Sequence, residues 1–375
     1  MSEWKKTYLR DLIVIKNGKD HKKLKNGQYP VYGSGGIMRY ADSYLYDQES
    51  VLLPRKGTLN NIQFVTEPFW TVDTCYYTVV NRDKVLPYFL YCCLCKMDIQ
   101  SLNTGSAVPS MTFEKYYSIE VPIPPLSTQQ RIATILSRYD SLIENYQKQI
   151  KLLEEAARRL YKEWFIDLRF PGHENTKIVD GLPEGWERKK VGEIGTVITG
   201  KTPSTSNKEN YGGSIPFITI PDMHTGIYPV SSVFLSEKGA ESQSKKYIPQ
   251  GALIVSCIGT AGLVCITKER CQTNQQINSL ILDDKEMLHY MYFVFLSLKE
   301  HLNNIGSNGA TMTNVNKSKF EGIDIVVPSS CIIRDFSQRT TPYFENILSL
   351  QSQLRLLTEA RDRLLPKLMS GEITV

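Results

Sequence analysis

The residues from Gly195 to Thr202 spell the phosphate-loop pattern G-x-x-x-x-G-K-[ST]. That motif holds phosphate because a strand feeds a glycine-rich loop whose N–H groups point at the ligand, and because a helix starts at the lysine. Here the interior, Val197 to Thr199, is strand-like, and Pro203 with a run of serine and threonine makes a poor helix start after Lys201. The stretch therefore predicts a strand that ends in a Gly-Lys turn suited to a phosphate backbone, with an NTPase as the third hypothesis for this chain.

Cysteines are the next residues that could do chemistry, and the chain has eight of them. Cys92 and Cys95 have the CxxC spacing of a metal site, but no second pair lies nearby and the segment is apolar and helical in pattern. We predict buried, reduced thiols at Cys92, Cys93 and Cys95, and no metal.

No other group reads as a catalytic centre. Asp180 with Glu187 and Lys189 loosely imitates a nuclease set but lies in a linker, and the five histidines lack metal-ligand spacing. Methyltransferase signatures are absent from the sequence as well. The sequence predicts a binding protein with no catalytic residue, no metal and no cofactor.

A long helix organises the rest of the chain. After the stop at Pro122, Pro124 and Pro125, no Gly or Pro occurs until residue 171, and Ser127 is a suitable N-cap for a helix from Thr128. Apolar residues recur at spacings of three and four, as in a coiled-coil seam, at Ile143, Tyr146, Ile150, Leu153, Ala157, Leu160 and Trp164. Such a helix is roughly 58 Å long at about 1.5 Å per residue, so we expect it to space or join domains.

The same seam occurs again 204 residues later. Its positions are Ile347, Leu350, Leu354, Leu357, Arg361, Leu364 and Leu368. Pro342 should restrict the regular part of this second helix to a start at Thr341, and Pro366 should end or kink it.

The globular stretches before the two helices also repeat. Short β-rich runs bounded by turn residues predict strands near Gln28–Tyr32, Ser50–Pro54, Ile62–Thr66 and Tyr76–Val80, followed by a helix near Pro87–Met97. The opening at Trp4 recurs at Trp186, and Gly57-Thr58 recurs at Gly259-Thr260. We predict an α+β protein with an internal duplication: a first domain at 1–126, a spacer helix at 127–168, a second domain at 169–330 and a C-terminal helix at 331–375.

Composition fits this organisation. The chain has 375 residues, 41% of them hydrophobic, and a net charge of +5. No apolar run is long enough for a membrane span, and no signal-peptide core follows the N-terminus, so we expect a cytoplasmic protein. Five lysines lie between residues 16 and 25, whereas residues 166–330 carry 16 Lys and Arg against 17 Asp and Glu. This balance allows nucleic-acid binding without requiring it.

Four segments resemble one family, in order along the chain. Residues 122–133, Pro-Ile-Pro-Pro-Leu-Ser-Thr-Gln-Gln-Arg-Ile-Ala, look like the start of the central helix in the DNA-specificity subunit of Type I restriction-modification systems. Residues 160–167 and 364–373 resemble the ends of its two long helices, and residues 182–187 resemble the start of its second recognition domain. With the duplication, the resemblance spans the whole chain.

The resemblance implies a fold and a function. Two similar β-rich target recognition domains are joined by two long antiparallel coiled-coil helices in a pseudo-twofold duplication. Each domain reads one half of an interrupted site in double-stranded DNA, and two modification (methyltransferase) subunits supply the chemistry, with a restriction translocase or nuclease subunit as a further possible partner. For the partner interface we select residues of the helix-start and helix-end motifs: Gln130, Arg131, Tyr161, Trp164 and Phe165.

Candidate DNA contacts follow from charge and amide chemistry. Lysines and arginines would meet phosphates, and Asn or Gln side chains can pair with adenine. The candidates are Lys19, Lys22, Lys23, Lys25, Arg55, Lys56, Lys201, Asn274, Gln275 and Gln276, with the polar loops at Ser106 and at Ser307 and Asn308. The alternative function is an interaction protein with two β-rich domains on a coiled-coil spacer that binds protein or peptide and no DNA.

Overall fold

A computed structural model describes residues 4–103, 105, 108–307 and 314–375. It divides into two compact units. Unit 1 comprises Met1–Ile143 and Leu356–Val375, and unit 2 comprises Glu144–Arg355. Both long helices contribute residues to both units.

Unit 1 is built mainly from short strands, as the β-rich runs of its sequence predict. Its elements in chain order are β1 (Lys5–Tyr8), β2 (Ile13–Lys16), β3 (Tyr29–Gly33), β4 (Gly36–Ala41), β5 (Ser50–Pro54), β6 (Gln63–Val65), β7 (Trp70–Thr71), β8 (Cys75–Val80), α1 (Pro87–Cys95), α2 (Phe113–Tyr117), β9 (Glu120–Ile123) and the start of α3 (Leu126–Tyr161). The strands form a sheet of order β2-β8-β5-β6, a sheet of order β4-β3-β7 and the pair β1-β9. In the second sheet β3 and β7 are parallel.

The core of unit 1 joins the sheets to the helices. Leu53, Phe89 and Tyr116 are fully buried in one cluster with Ile132 from α3 and Leu368 from the last helix. Near the ends of these helices, Arg131 Nη1 donates to the Val375 carbonyl at 3.2 Å, and the Asp140–Arg361 pair lies further along. Within unit 1 the two helical segments therefore run antiparallel.

Unit 2 repeats this plan with longer loops. Its elements are the end of α3, a π-helical turn (Lys162–Ile166), β10 (Ile178–Val179), β11 (Leu182–Pro183), β12 (Glu187–Lys190), β13 (Gly195–Thr199), β14 (Tyr211–Ile218), β15 (Val233–Leu235), α4 (Glu237–Glu241), β16 (Leu253–Ser256), β17 (Val264–Ile266), β18 (Gln272–Thr273), β19 (Ile277–Leu282), α5 (Leu288–Ser297), α6 (Lys299–Ser307), α7 (Lys317–Glu321), β20 (Asp324–Val327) and α8 (Ser330–Ser370), which ends in unit 1.

The strand orders of the two units correspond one to one. Unit 2 has a sheet of order β13-β19-β16-β17, a sheet of order β15-β14-β18 and the pair β12-β20. Here β14 and β18 are parallel, as β3 and β7 are in unit 1. The hairpin β10-β11 is an addition. The predicted duplication and the predicted α+β fold class are confirmed.

The seam positions pack as the spacing predicts. Ala157 and Ile347 are fully buried, Ile143, Trp164 and Leu368 are nearly so, and the remaining seam residues are partly buried. In unit 2 the ring of Tyr161 lies 6.4 Å from that of Phe336, and Ile150 and Leu354 line one cavity. Because residue numbers rise along α3 where they fall along α8, the helical segments are antiparallel there as well.

Helix starts differ from the prediction. Helix α3 begins at Leu126, and the Pro125 carbonyl accepts hydrogen bonds from the N–H groups of Thr128 and Gln129. Ser127 is therefore inside the helix and is not its N-cap. The backbone carbonyl of the second proline accepts these first helical hydrogen bonds, a role that side-chain preferences do not reveal.

The expected start of the regular helix at Thr341 is wrong, and α8 does not end at Pro366. The helix runs from Ser330 to Ser370 through both Pro342 and Pro366. Ile333 and Phe336 are buried before Pro342, and the hydroxyls of Thr340 and Thr341 donate to the carbonyls of Phe336 and Ser337, each at 2.8 Å. Core packing on both sides offsets the cost of about 3 kcal/mol for an interior proline.

In the described part of the chain, no helix has both the length and the apolar character that a bilayer crossing needs.

Candidate nucleic-acid interface

The two Gly-Lys turns occupy equivalent places in the two units. Lys19 follows β2 and donates its N–H to the Thr71 carbonyl of β7 at 2.8 Å, while Lys201 follows β13 and donates to the Thr273 carbonyl of β18 at 3.0 Å. A Cβ on Gly18 would lie 2.0 Å from the Val72 oxygen, and one on the glycine before Lys201 would lie 2.2 Å from a backbone oxygen. Glycine precedes both lysines because the backbones approach too closely for any side chain.

The phosphate-loop reading does not match the local structure. Gly195–Thr199 is strand β13, paired along its length with β19, and no helix starts at Lys201. In such an extended, paired strand the N–H groups point alternately to opposite sides and cannot converge on a phosphate in the manner of that motif. The predicted strand ending in a Gly-Lys turn is confirmed, and Lys201 is exposed.

The basic candidates of unit 1 form two groups. Lys19, Lys22, Lys23 and Lys25 are exposed on the loop between β2 and β3. Arg55 and Lys56 follow β5. The Arg55 backbone N–H donates to the Thr74 carbonyl at 2.8 Å, and its guanidinium lies 5.8 Å from the centre of the Tyr76 ring.

Lys56 links its loop to the one that follows α1. It pairs with Ser110 in an isolated β-bridge, and the neighbouring Gly57 N–H donates to the Pro109 carbonyl at 2.9 Å. In unit 2 the equivalent bridge joins Ile258 to Asn314. The scaffold repeats, but the cation at this point of unit 1 is an apolar residue in unit 2.

The three amide candidates of unit 2 have different surroundings. Asn274 is 8% exposed, and its side chain both donates to Gln276 Oε1 at 3.0 Å and accepts from the Gln276 N–H at 3.1 Å. Gln275 is exposed, and its Oε1 accepts from the Thr202 hydroxyl at 2.6 Å beside the Gly-Lys turn. Asn274 and the half-buried Gln276 therefore shape the loop, whereas Gln275 is presented to solvent next to Lys201.

Three loop candidates remain. Ser106 and Asn308 lie outside the described residues. Ser307 is the last residue of α6.

At the start of α3 the two partner-interface candidates are exposed, and their neighbour is not. Gln130 and Arg131 face solvent, whereas Gln129 is fully buried. Gln129 accepts from the Leu86 N–H at 2.9 Å and donates to the carbonyls of Lys84 and Pro124. This residue, missed in the sequence, anchors the helix start to the start of α1. Its spacing of three and four from Ile132 and Ala133 was the available signal.

The aromatic candidates at the end of α3 are core residues of unit 2. The Phe165 ring lies 4.6 Å from Tyr290 and 4.9 Å from Phe336, and the Tyr161 ring lies 5.2 Å from Phe293. Burial raises the pKa of Tyr161 to about 12. Trp164 is 4% exposed. Such burial argues against direct contact of these three side chains with a partner.

Cysteines behave largely as predicted. All eight are free, and six are buried, including Cys92 and Cys93. The prediction of burial was wrong for Cys95, the last residue of α1, which is exposed. Among the described residues, no group of three or more His, Cys, Asp or Glu side chains is arranged to hold a metal.

Sequence comparison agrees with this duplicated architecture. The family model described as Type I restriction modification DNA specificity domain matches residues 1–155 and again residues 183–334. The chain belongs to this family. Each match takes in one Gly-Lys turn and the sheets that hold it, so the specificity domain occurs here as two copies.

Individual specificity subunits match most of this chain in sequence. It is 34% identical over 364 residues to the Type I restriction enzyme HindI specificity subunit of Haemophilus influenzae, covering 78% of this chain and 79% of that protein. It is 29% identical over 343 residues to the MjaIX specificity subunit of Methanocaldococcus jannaschii, with coverages of 88% and 79%. The crystal structure of a Type I restriction-modification S subunit from M. genitalium has the same fold, with a TM-score of 0.70, 17% identity and coverages of 97% and 96%.

Proposed function

We propose that this chain is the non-catalytic DNA-specificity subunit of a Type I restriction-modification complex. Each specificity domain reads one half of a bipartite site in double-stranded DNA. Two modification subunits bound through the long helices carry out methylation. We assign the recognition domains to residues 1–126 and 169–330, and the helical segments to residues 127–168 and 331–375.

The observation that carries this proposal is that the scaffold is repeated while its loops are not. Equivalent Gly-Lys turns are held on equivalent strands, yet Arg55 and Lys56 of the first domain correspond to Cys257 and Ile258 of the second. Loops of different chemistry on one scaffold are what two readers of different sequences need. An asymmetric bipartite target follows.

Partner binding is assigned to exposed residues of the helices. Gln130 and Arg131 are the candidates that remain on the surface, at the start of α3. Arg131 also donates to the Val375 carbonyl, which fixes the position of its guanidinium on this surface.

Methylation mapping tests the function directly. Genomic DNA from the source strain and from a strain lacking this gene is sequenced with a method that detects methylated bases. We expect an interrupted, asymmetric motif to be methylated in the first strain and unmodified in the second. Identical methylation in both strains would overturn the proposal and favour the alternative of a protein-binding scaffold.

Biochemical reconstitution tests the absence of catalysis. The purified chain alone should transfer no methyl group to duplex DNA. Adding the modification subunits should give transfer at the mapped motif, and omission of this chain should abolish it. Methyl transfer by the chain alone would contradict its assignment as a specificity subunit.

A further inference from the structure

The loop between β2 and β3 in unit 1 differs in charge from its counterpart in unit 2. Residues 17–28 contain four lysines and Asp20, a net charge of +3. The equivalent loop between β13 and β14, residues 200–210, contains Lys201, Lys208 and Glu209, a net charge of +1. Glu209 is in turn paired with Lys238. The positive charge is thus concentrated on one of the two specificity domains at this place in the scaffold.

Both ends of the basic loop are fastened to the sheet by hydrogen bonds. At the first end, Trp70 Nε1 donates to the Lys19 carbonyl at 2.9 Å, and the Lys19 N–H donates to Thr71 at 2.8 Å. At the other end, the Lys25 N–H donates to Asp42 Oδ1 at 3.1 Å, and the Asp42 N–H returns a bond to the Lys25 carbonyl at 3.0 Å.

The middle of the loop is held as well. Arg39 Nη2 donates to the Leu24 carbonyl at 2.8 Å, and the side chains of Leu24 and Trp70 each pack against a small cluster that includes Val31 and Val72. Lys22 and Lys23 lie directly before this anchor and are exposed. The backbone is therefore ordered before any ligand arrives, which lowers the entropy cost of binding.

We propose, on the basis of the function proposed above, that residues 19–25 form the main phosphate-binding element of this chain. Lysine ammonium groups recognise the charge of a DNA backbone and carry no base information, so the loop sets affinity and register while other loops read the bases. Trp70, Arg39 and Asp42 act as positioning residues. The second specificity domain contributes less of the salt-dependent binding.

Salt dependence gives a direct measurement. The full chain assembled with its modification subunits is titrated against a fluorescein-labelled DNA duplex of mixed sequence at several salt concentrations. A mixed sequence suffices because non-specific binding comes from phosphate contacts. Lys22→Gln with Lys23→Gln should reduce the slope of log affinity against log salt by about 1.8, since each phosphate contact contributes about 0.9.

A matched pair of lysines in the same unit is the control. Lys84→Gln with Lys96→Gln removes the same charge from residues whose side chains reach carbonyls of Asp11 and Pro366. We expect the slope of this variant to equal that of the wild type. Equal changes for the two pairs would overturn the loop assignment, and so would an unchanged slope for the Lys22 and Lys23 pair.

The positioning role is tested without changing charge. Trp70→Phe keeps an aromatic ring against the cluster of Val31 and Val72 but removes the donor to the Lys19 carbonyl. Affinity at one fixed salt concentration should fall about threefold to tenfold, the equivalent of one hydrogen bond. Trp4→Phe, a ring that packs on Phe89, should leave affinity unchanged. If Trp70→Phe lowers the melting temperature but not the affinity of the folded complex, Trp70 has no positioning role.

Two further outcomes separate this inference from the proposed function. If the wild-type complex binds no duplex at any salt concentration, the proposed function fails and the inference fails with it. If it binds but Lys201→Gln with Lys208→Gln lowers the slope as much as the Lys22 and Lys23 pair does, the unequal division between the domains is overturned while DNA recognition stands.

Discussion

Arg361 Nη1 and Asp140 Oδ1 lie 2.9 Å apart on the facing segments of α8 and α3 within unit 1. Arg361 occupies the one seam position of its helix that is not apolar, and Ala157 occupies the corresponding position in α3. Burial opposes the charge of Arg361, but hydrogen bonds to Asp140 and Asp362 outweigh it and raise its pKa. A single charged pair in an apolar seam favours one alignment of the two helices over others.

Removal of the Asp140 charge should therefore destabilise unit 1. We expect Asp140→Asn to lower the free energy of unfolding by about 1–2 kcal/mol, because both groups are about two-thirds buried and Tyr88 also donates to this carboxylate. Urea denaturation of the wild type, the two single variants and the double variant with Arg361→Leu gives the coupling energy, expected near 1 kcal/mol. The exposed pair Arg159–Glu155 is the control and should couple by less than about 0.5 kcal/mol. Similar coupling energies for the two pairs would contradict a register role.

The Gly-Lys turn of unit 1 predicts a sharp difference between two glycines. A Cβ at Gly18 would meet only backbone atoms, the nearest 2.0 Å away, whereas a Cβ at Gly35 would have nothing within 4 Å. Gly18→Ala should cost about 1–3 kcal/mol of stability and displace Lys19, which weakens duplex binding. Gly35→Ala should leave both unchanged. Denaturant titration and duplex binding check the pair, and equal behaviour of the two variants would refute the close approach.

Much of this fold was predictable because the duplication gave each segment a second copy to compare. The strands around Ser50–Pro54, the Gly-Lys turns and both seams follow from repeated patterns, and the structure confirms them. The continuous course of helix α8 does not follow from the sequence, because Pro342 is locally a helix breaker. The burial of Phe336 and the hydrogen bonds of two threonine hydroxyls, which sustain the helix, depend on tertiary packing.

The site was harder to predict, because exposure decides the role of a polar or aromatic side chain. Asn274 and Gln275 are adjacent and chemically alike, yet one is buried and the other exposed. The burial of Trp164 follows from its seam position, but the next residue, Phe165, is off the seam and is buried as well, within a π-helical turn. Sequence periodicity of 3.6 residues does not foresee that change of helical pitch.

The contrast between Asn274 and Gln275 leads to a third prediction. Asn274→Ala should lower stability by about 1 kcal/mol or more, because the Gln276 N–H loses its acceptor in a buried loop. Gln275→Ala should change stability by less than about 0.5 kcal/mol while altering the methylated motif or lowering affinity for it, since one good base contact is worth about 1–3 kcal/mol. Thermal denaturation and methylation mapping distinguish these effects. A stable Asn274→Ala variant with changed sequence preference would reverse the two roles.

His289 makes the stability of unit 2 depend on pH. Its ring is stacked on Phe344 at 4.0 Å, and its Nδ1 lies 3.0 Å from the Thr340 hydroxyl. That hydroxyl donates its proton to the Phe336 carbonyl, so His289 is the donor at Nδ1 and its other nitrogen has to take up any further proton inside the core. Burial lowers the pKa of His289 from 6.5 to about 4.

The direction of the pH effect follows from this lowered pKa. Below pH 6.5 the imidazole of His289 binds a proton in the unfolded chain but remains neutral in the folded chain. The free energy of unfolding therefore falls as the pH decreases from 6.5 towards 4, and it stops falling from this cause below about pH 4. Relative to neutral pH, the histidine should cost about 2 kcal/mol at about pH 5. The free energy of unfolding of His289→Gln, measured with urea at both pH values, should show that much less pH dependence than the wild type. A His289→Gln variant with the same pH dependence as the wild type would show that the buried imidazole accepts its proton in the folded state.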